Sequence, residues 1–284
     1  VGCIWSLAWL AIIRDTPQDD PKISTEEKEY ITKSISGRET NEVAHQPTPW
    51  RKILTSKPYW GTVCIHITDT WTTFITVAWV PTYIARVLQF NVKTAGFISS
   101  LPYGLNVLLL VVGGFVADFV LVRNWFSRTK LRKLFSFIAQ IIPILSLIML
   151  PSFRCNEWMS VVLLCTSYMF FSLNYPGYRS SMVDMAPKYG GIIFGFSNTI
   201  ACCISLGAPQ LVGVILGDGA ASNWRVVFYS TASVSAAGLA VYLIFGTSEE
   251  QTWSRSKITS LSSLEIKEKN SINEESQKCI ENVT

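Results

Sequence analysis

Two ionisable residues stand in the middle of an apolar stretch. Asp69 follows His66 by three residues, so both side chains share one face of a helix, and Thr73 extends that polar face. A charged side chain in hydrocarbon costs roughly 2.5–3.5 kcal/mol, so such residues usually face a bundle interior or a water-filled cavity. A histidine beside an aspartate can hold, share or pass a proton. The pair indicates a cation or proton site on a solute pathway; a neutral aspartate bonded to threonine across a helix interface is the alternative.

Other polar side chains inside apolar segments are candidates for contact with a solute. Tyr168 and Asn174 are six residues apart in a segment rich in Tyr and Ser that ends at Pro176-Gly177, and we rank them above Asn198. Single amides in membrane spans often serve only to join helices. The expected transport cavity or coupling site comprises His66, Asp69, Thr73, Tyr168, Asn174 and Asn198.

Long uncharged stretches must position these residues. Of the 284 residues, 49% are hydrophobic and 15% charged, against about 25% charged in an ordinary soluble domain. Charge is absent from 134–153, 158–178, 189–217 and 226–248. About 20 apolar residues span the ~30 Å hydrocarbon core as a helix, and a backbone in lipid must satisfy its own hydrogen bonds. The composition excludes a disordered chain and predicts an integral, multi-pass, all-α membrane protein.

The pattern predicts a six-helix transmembrane bundle over 59–248. Its spans are expected near 60–84, 95–121, 134–153, 158–178, 189–217 and 225–247. Residues 1–13 are interpreted as the end of a truncated helix, and 14–58 as a polar cytoplasmic loop. Within that loop, Ser24 and Glu27 form a capping box that predicts a short helix near 24–36. The charged, Ser-rich segment 249–284 is interpreted as a disordered cytoplasmic tail.

The basic residues predict the orientation. Of the 24 lysines and arginines, 20 fall on the side that holds the 14–58 loop and the tail, with Arg179 counted in a loop on that side. The positive-inside rule makes this side cytoplasmic, and with it the C-terminus. The basic cluster at 123–133 is expected to bind anionic lipid headgroups.

Other classes of function find little support in the sequence. The seven cysteines show no metal-ligand spacing, and no catalytic pair or phosphate-binding loop is recognisable, so neither an enzyme nor a cofactor is expected. The basic cluster lacks the interleaved aromatic residues of a nucleic-acid surface, so no nucleic-acid partner is expected. The expected partners are membrane lipids and a small solute.

The segment Gly113-Gly-Phe-Val-Ala-Asp118, followed by Arg123, resembles the G-x-x-x-D-x-x-x-x-R loop motif of the major facilitator superfamily. In that motif, an acidic residue at a helix end and a cation clamp two helices together in one gating state. The resemblance therefore implies a gating loop made of Gly114, Asp118 and Arg123.

Further blocks sharpen the resemblance. They are Pro49-Trp50, Val80-Pro81-Thr-Tyr83, Asp184-Met-Ala-Pro187, Trp224-Arg-Val-Val-Phe228 and Glu249-Glu-Gln251. Their order is similar to that of the anion:cation symporter family, which includes sodium–phosphate cotransporter-like proteins, sialin and the vesicular glutamate transporters. The resemblance implies the C-terminal half of a twelve-helix secondary active transporter. It would carry organic or inorganic anions such as phosphate by alternating access, with H⁺ or Na⁺ as the coupling ion, in the plasma membrane or a lysosomal or vesicular membrane.

Three positions depart from the family pattern. Met182 replaces the usual histidine, Arg179 adds a cation that the family often lacks there, and Asp69 stands where vesicular glutamate transporters have a basic residue. The resemblance implies that the anion-binding cation lies in the N-terminal half, which is missing from this chain and is its expected partner. The alternative function is a non-transporting half-transporter, either regulatory or inert.

Overall fold

The computed structural model describes residues 2–14, 17–18, 20, 23–36, 47–153, 155–217 and 223–254, and these contain helices and no strand. They fall into two compact units, 1–48 and 49–284. The first unit holds α1 (Gly2–Ile12) and α2 (Thr25–Ser36). At the start of α2, Ser24 Oγ accepts a hydrogen bond from the Glu27 backbone N–H at 3.1 Å. The predicted tail beyond residue 254 lies outside the described residues.

The second unit is a bundle of helices joined by short turns. It consists of α3 (Trp50–Leu54), α4 (Lys57–Arg86), α5 (Val92–Val122), α6 (Arg128–Met149), α7 (Glu157–Phe170), α8 (Ser180–Met185), α9 (Gly190–Ser205), α10 (Gly207–Leu216) and α11 (Asn223–Phe245). Side-chain oxygens of Asn91, Ser127 and Asn156 cap the starts of α5, α6 and α7. These caps satisfy backbone N–H groups that would otherwise lack partners.

Five helical segments in the described part of the chain are long and apolar enough to cross a membrane. They are Lys93–Val122, Arg128–Phe153, Glu157–Met185, Gly190–Leu216 and Asn223–Phe245. The prediction of an all-α, multi-pass membrane protein is therefore confirmed.

The first predicted span, on α4, is not among these five apolar segments. At 30 residues and 1.5 Å per residue, α4 is about 45 Å long, enough to cross the bilayer. Its many threonines, with His66 and Asp69, lower its hydropathy, and most of these side chains are buried against other helices. A helix that contacts protein rather than lipid does not need an apolar surface. Its crossing stays a prediction.

Helix α4 lies at the centre of the bundle and packs most extensively against α11 and α9. A small residue lets α11 approach closely, because a Cβ at Gly238 would overlap the side chain of Thr68. One turn further along α4, Thr72 Oγ1 and Ser235 Oγ are hydrogen-bonded at 2.9 Å. Small residues and hydroxyl pairs of this kind hold membrane helices together where lipid offers no hydrophobic driving force.

The apolar segment Glu157–Met185, which corresponds to the fourth predicted span, is broken in its second half. After α7 the chain forms a 3₁₀ turn (Phe171–Asn174) and a π turn (Tyr175–Arg179) before it enters α8. At Gly177 the backbone is non-helical, and an added Cβ would lie 2.5 Å from Ser136 Oγ, so only glycine fits against α6. Arg179, counted in a loop from the sequence, lies in this π turn, and the apolar segment continues to Met185. Irregular turns of this type redirect side chains and often mark functional sites.

Candidate functional site

Asp69 lies near the middle of α4, with 3% of its surface exposed. Its carboxylate accepts three hydrogen bonds, all from the broken span. Asn174 Nδ2 donates to Oδ1 at 2.8 Å, Tyr178 OH donates to Oδ2 at 2.8 Å, and Arg179 Nη2 donates to Oδ2 at 3.0 Å. None of these partners is a threonine, and one of them is a cation. The carboxylate is therefore an ion-paired, hydrogen-bonded group inside the bundle.

The 3₁₀ and π turns explain how three side chains reach one carboxylate. Asn174 ends the 3₁₀ turn, while Tyr178 and Arg179 end the π turn that follows it. The widened backbone carries Arg179 over the ring of Tyr175, with the guanidinium carbon 4.6 Å from the ring centre. Stacking of this type fixes the plane of the guanidinium.

His66, the second member of the predicted pair, is fully buried. Its Nδ1 is hydrogen-bonded to Ser197 Oγ at 2.8 Å, and its ring stacks on Phe194 at 5.4 Å between centres. Its Nε2 has no hydrogen-bond partner among the described residues. His66 thus bonds to α9, whereas the Asp69 carboxylate bonds to the 3₁₀ and π turns, and the structure gives no hydrogen bond between the two side chains.

The remaining predicted cavity residues are scattered around this centre. Thr73 Oγ1 donates to the Asp69 backbone carbonyl at 2.9 Å, within α4 itself. Tyr168 packs against Tyr103 with ring centres 4.6 Å apart, and its carbonyl accepts a hydrogen bond from Asn106 Nδ2 at 2.9 Å. Asn198 is exposed on α9, next to the residue that binds His66. Of the predicted set, Asn174 alone bonds directly to the Asp69 carboxylate.

An open cavity of about 500 Å³ lies beside the Asp69–Arg179 pair. Its lining includes Gly114, Asp118, Arg132, Tyr175, Arg179 and Ser180. Two arginines therefore face the same space. A volume of this size suits a small organic or inorganic ion.

Arg132 has partners that fix it in the wall of this cavity. Its Nε donates to Asp184 Oδ2 at 2.9 Å, and its Nη1 donates to the Pro176 carbonyl at 2.8 Å. The neighbouring Lys133 donates to the Leu243 carbonyl at 2.7 Å. These two members of the basic cluster at 123–133 thus bond to protein groups of α8, the π turn and α11, and the assignment of the cluster to lipid headgroups stays a prediction.

Two of the three predicted gating residues lie in α5 at the edge of the cavity. Gly114 and Asp118 line it, whereas Arg123 is exposed and stacks on Phe119, with 4.9 Å from the guanidinium carbon to the ring centre. In the described part of the chain, the ion pairs do not include one between Asp118 and Arg123. The gating role of the three residues stays a prediction.

Sequence reasoning missed Tyr178 and Arg179 as site residues. The span was expected to end near residue 178, which placed Arg179 in the following loop. The absence of charge in 180–183, directly after Arg179, was the signal that the span continued. An arginine followed by four uncharged residues inside a span calls for an acidic partner, and Asp69 was the unpaired candidate.

Comparison with known proteins identifies the class. Residues 1–209 match the sequence model of the Major Facilitator Superfamily, and the chain belongs to this family. Its relatives include sialin of Homo sapiens, 33% identical over 254 residues that cover 89% of this chain and 50% of sialin. They also include sodium-dependent phosphate transport protein 3 of Mus musculus, 31% identical over 257 residues that cover 90% of this chain and 53% of that protein.

A third relative is the probable small intestine urate exporter of Mus musculus, 31% identical over 255 residues that cover 90% of this chain and 51% of the exporter. The chain thus spans about half the length of the curated relatives it matches. The resemblance stated from the sequence motifs is confirmed. Two of these relatives are named as transporters or exporters of anions, and none of the three is named as an enzyme.

Proposed function

We propose that this chain is the C-terminal half of a secondary active transporter that moves organic or inorganic anions by alternating access. The observation that carries the proposal is the Asp69–Arg179 pair beside a cavity that also holds Arg132. Charged residues within membrane bundles mark ion or substrate pathways. Membership of the Major Facilitator Superfamily and relatives named for phosphate and urate support an anionic solute.

The bundle supplies one wall of the proposed pathway. In transporters built from two halves, the solute sits near the bilayer midplane between them, and the halves rock around it. In this proposal, the second wall comes from an N-terminal half that pairs with the present bundle, and membrane lipids surround both. Asp118 at the cavity edge, with Arg123 beyond it, would close the cytoplasmic end in one state.

Coupling to H⁺ or Na⁺ is assigned to Asp69 in this proposal. A carboxylate can take up a proton or ligate Na⁺, and Asp69 is the acidic group nearest the middle of the central helix. The Asp69→Asn variant is therefore expected to change the dependence of uptake on H⁺ or Na⁺. The distribution of basic residues places the C-terminus in the cytoplasm. The membrane that holds the protein is the plasma membrane or a lysosomal or vesicular membrane.

Uptake by proteoliposomes tests this function. The transporter that contains this chain is reconstituted in phosphatidylcholine vesicles and offered labelled phosphate, urate, sialate or glutamate under an inward H⁺ or Na⁺ gradient. We expect at least one anion to accumulate above the level in protein-free vesicles, and the gradient to raise that accumulation. If none of the four anions enters under either gradient, although the protein is folded and inserted, the proposed function is wrong.

A further inference from the structure

We infer that Arg179 is an anion-binding residue of this half, and that the solute displaces Asp69 from its guanidinium. A carboxylate or phosphate oxygen of the solute takes the place of Asp69 Oδ2, while Asn174 and Tyr178 continue to hold the released carboxylate. This inference rests on the proposed function. It supplies within this chain a cation that the family resemblance had assigned to the other half.

Asp69 and Arg179 differ in their number of hydrogen-bond partners, and this difference favours replacement of Asp69 by the solute at the guanidinium. Asp69 has two neutral donors besides Arg179, so its carboxylate keeps two hydrogen bonds when the ion pair opens. Arginine carries five N–H donors, and among the described residues only Asp69 accepts one of them. Arg179 Nε has no hydrogen-bond partner there. Arg179 therefore has unused donors, and Asp69 keeps two hydrogen bonds when the guanidinium leaves. Because Nε is buried while the pair is closed, its donor becomes available to an anion when the ion pair opens.

Arg179 is also placed where a solute can reach it. Its side chain is 25% exposed, against 4% for that of Asp69, and it lines the 500 Å³ cavity, whereas Asp69 is not among the lining residues. Tyr175 holds the guanidinium plane from one face and lines the same cavity. Once the ion pair opens, a planar guanidinium binds carboxylate or phosphate through two parallel hydrogen bonds.

Arg132 is a poorer candidate for the same role, although it faces the same cavity. Its side chain is 11% exposed, and both Asp184 and the Pro176 carbonyl already bind it. It contributes positive potential to the cavity wall and leaves Arg179 as the arginine with donors available.

A double variant separates anion binding from a structural ion pair. Arg179→Gln alone leaves Asp69 buried without a cation, and we expect reduced yield of folded protein. Adding Asp69→Asn removes the stranded charge, so the double variant is expected to regain wild-type yield and a monodisperse profile in detergent. Its Kd for the anion carried by the wild type is nevertheless expected to be at least 20-fold higher than that of Asp69→Asn alone, because Arg132 is already bound by Asp184 and the guanidinium with free donors is gone. Arg225→Gln, an exposed arginine on α11, is the matched control and should transport normally.

Asp69→Asn alone gives an independent readout. Removal of the competing carboxylate frees Arg179, so the Kd for the anion, measured with radiolabelled ligand on purified protein, is expected to fall about tenfold. A folded double variant whose Kd lies within twofold of that of Asp69→Asn would overturn the inference and leave the proposed function standing. An Asp69→Asn Kd equal to or above the wild-type value would overturn it as well. If the wild type and Arg225→Gln carry no anion, the proposed function itself fails.

Discussion

The substitution Tyr178→Phe tests the claim that Asp69 is held by donors that remain when Arg179 leaves. It removes one hydroxyl, whose oxygen lies 2.8 Å from Asp69 Oδ2, and leaves the fully buried ring in place. The carboxylate then depends more strongly on Arg179, because only Asn174 remains as a neutral donor. Opening of the ion pair becomes harder, so the anion should bind more weakly.

The size of the effect follows from the lost hydrogen bond. A hydrogen bond to a charged group contributes about 1.5–3 kcal/mol. The Tyr178 hydroxyl donates to Asp69 whether the ion pair is closed or open, so its loss weakens both states and only the difference affects opening. If the open state loses about half of the hydrogen-bond energy more than the closed state, the binding free energy of the anion falls by about 0.7–1.5 kcal/mol. This corresponds to a roughly threefold to tenfold higher Kd.

Radioligand binding to purified protein measures this change, with the anion identified by uptake as the probe. Tyr229→Phe is the matched control, since Tyr229 is exposed on α11 and its substitution should leave the Kd unchanged. We predict that two conservative substitutions at the Asp69 carboxylate and its donor shift the Kd in opposite directions. Tyr178→Phe raises the Kd, and Asp69→Asn lowers it. A Tyr178→Phe Kd equal to or below the wild-type value would refute this prediction.

Three further predictions concern the gate and the packing of the bundle. Asp118→Ala should lower the rate of uptake severalfold with surface expression unchanged; a wild-type rate would remove Asp118 from gating. Asp184→Asn leaves the largely buried Arg132 without its acid and should cost about 3 kcal/mol of stability, seen as a lower unfolding temperature in detergent. An unchanged unfolding temperature would show that the hydrogen bond to the Pro176 carbonyl is enough to stabilise buried Arg132. Gly238→Ala should destabilise by about 1–3 kcal/mol through overlap with Thr68, whereas Gly104→Ala, which meets open space, should not; equal effects would contradict close α4–α11 packing.

Most of the fold could be predicted because lipid limits the choices. A spanning backbone must be helical, and uncharged stretches of 20 or more residues mark where it crosses. Helix α4 shows where this reasoning is weakest. A helix surrounded by protein is free to carry His66, Asp69 and a series of threonines. Hydropathy therefore does not mark α4 as a span, although it is the centre of the bundle.

The candidate site was only partly predictable, for a related reason. Asp69 stood out because a lone acid in an apolar stretch needs a partner, but its partner is 110 positions away in sequence. The span was expected near 158–178, whereas the π turn at Tyr175–Arg179 widens the helix and the chain continues into α8. Spacing rules for regular helices do not describe a π turn, so they could not place Tyr178 at Asp69. For Arg179, only the need of a cation inside a span for an acidic partner pointed to Asp69.

A cryo-EM structure of the transporter with its anion bound tests the account most directly. We predict density for the anion in the cavity beside Tyr175, within about 3 Å of the Arg179 guanidinium. We also expect Arg179 to have separated from Asp69, with Asn174 and Tyr178 still bonded to the carboxylate. An anion bound away from this cavity, with the Arg179–Asp69 ion pair intact, would contradict the account.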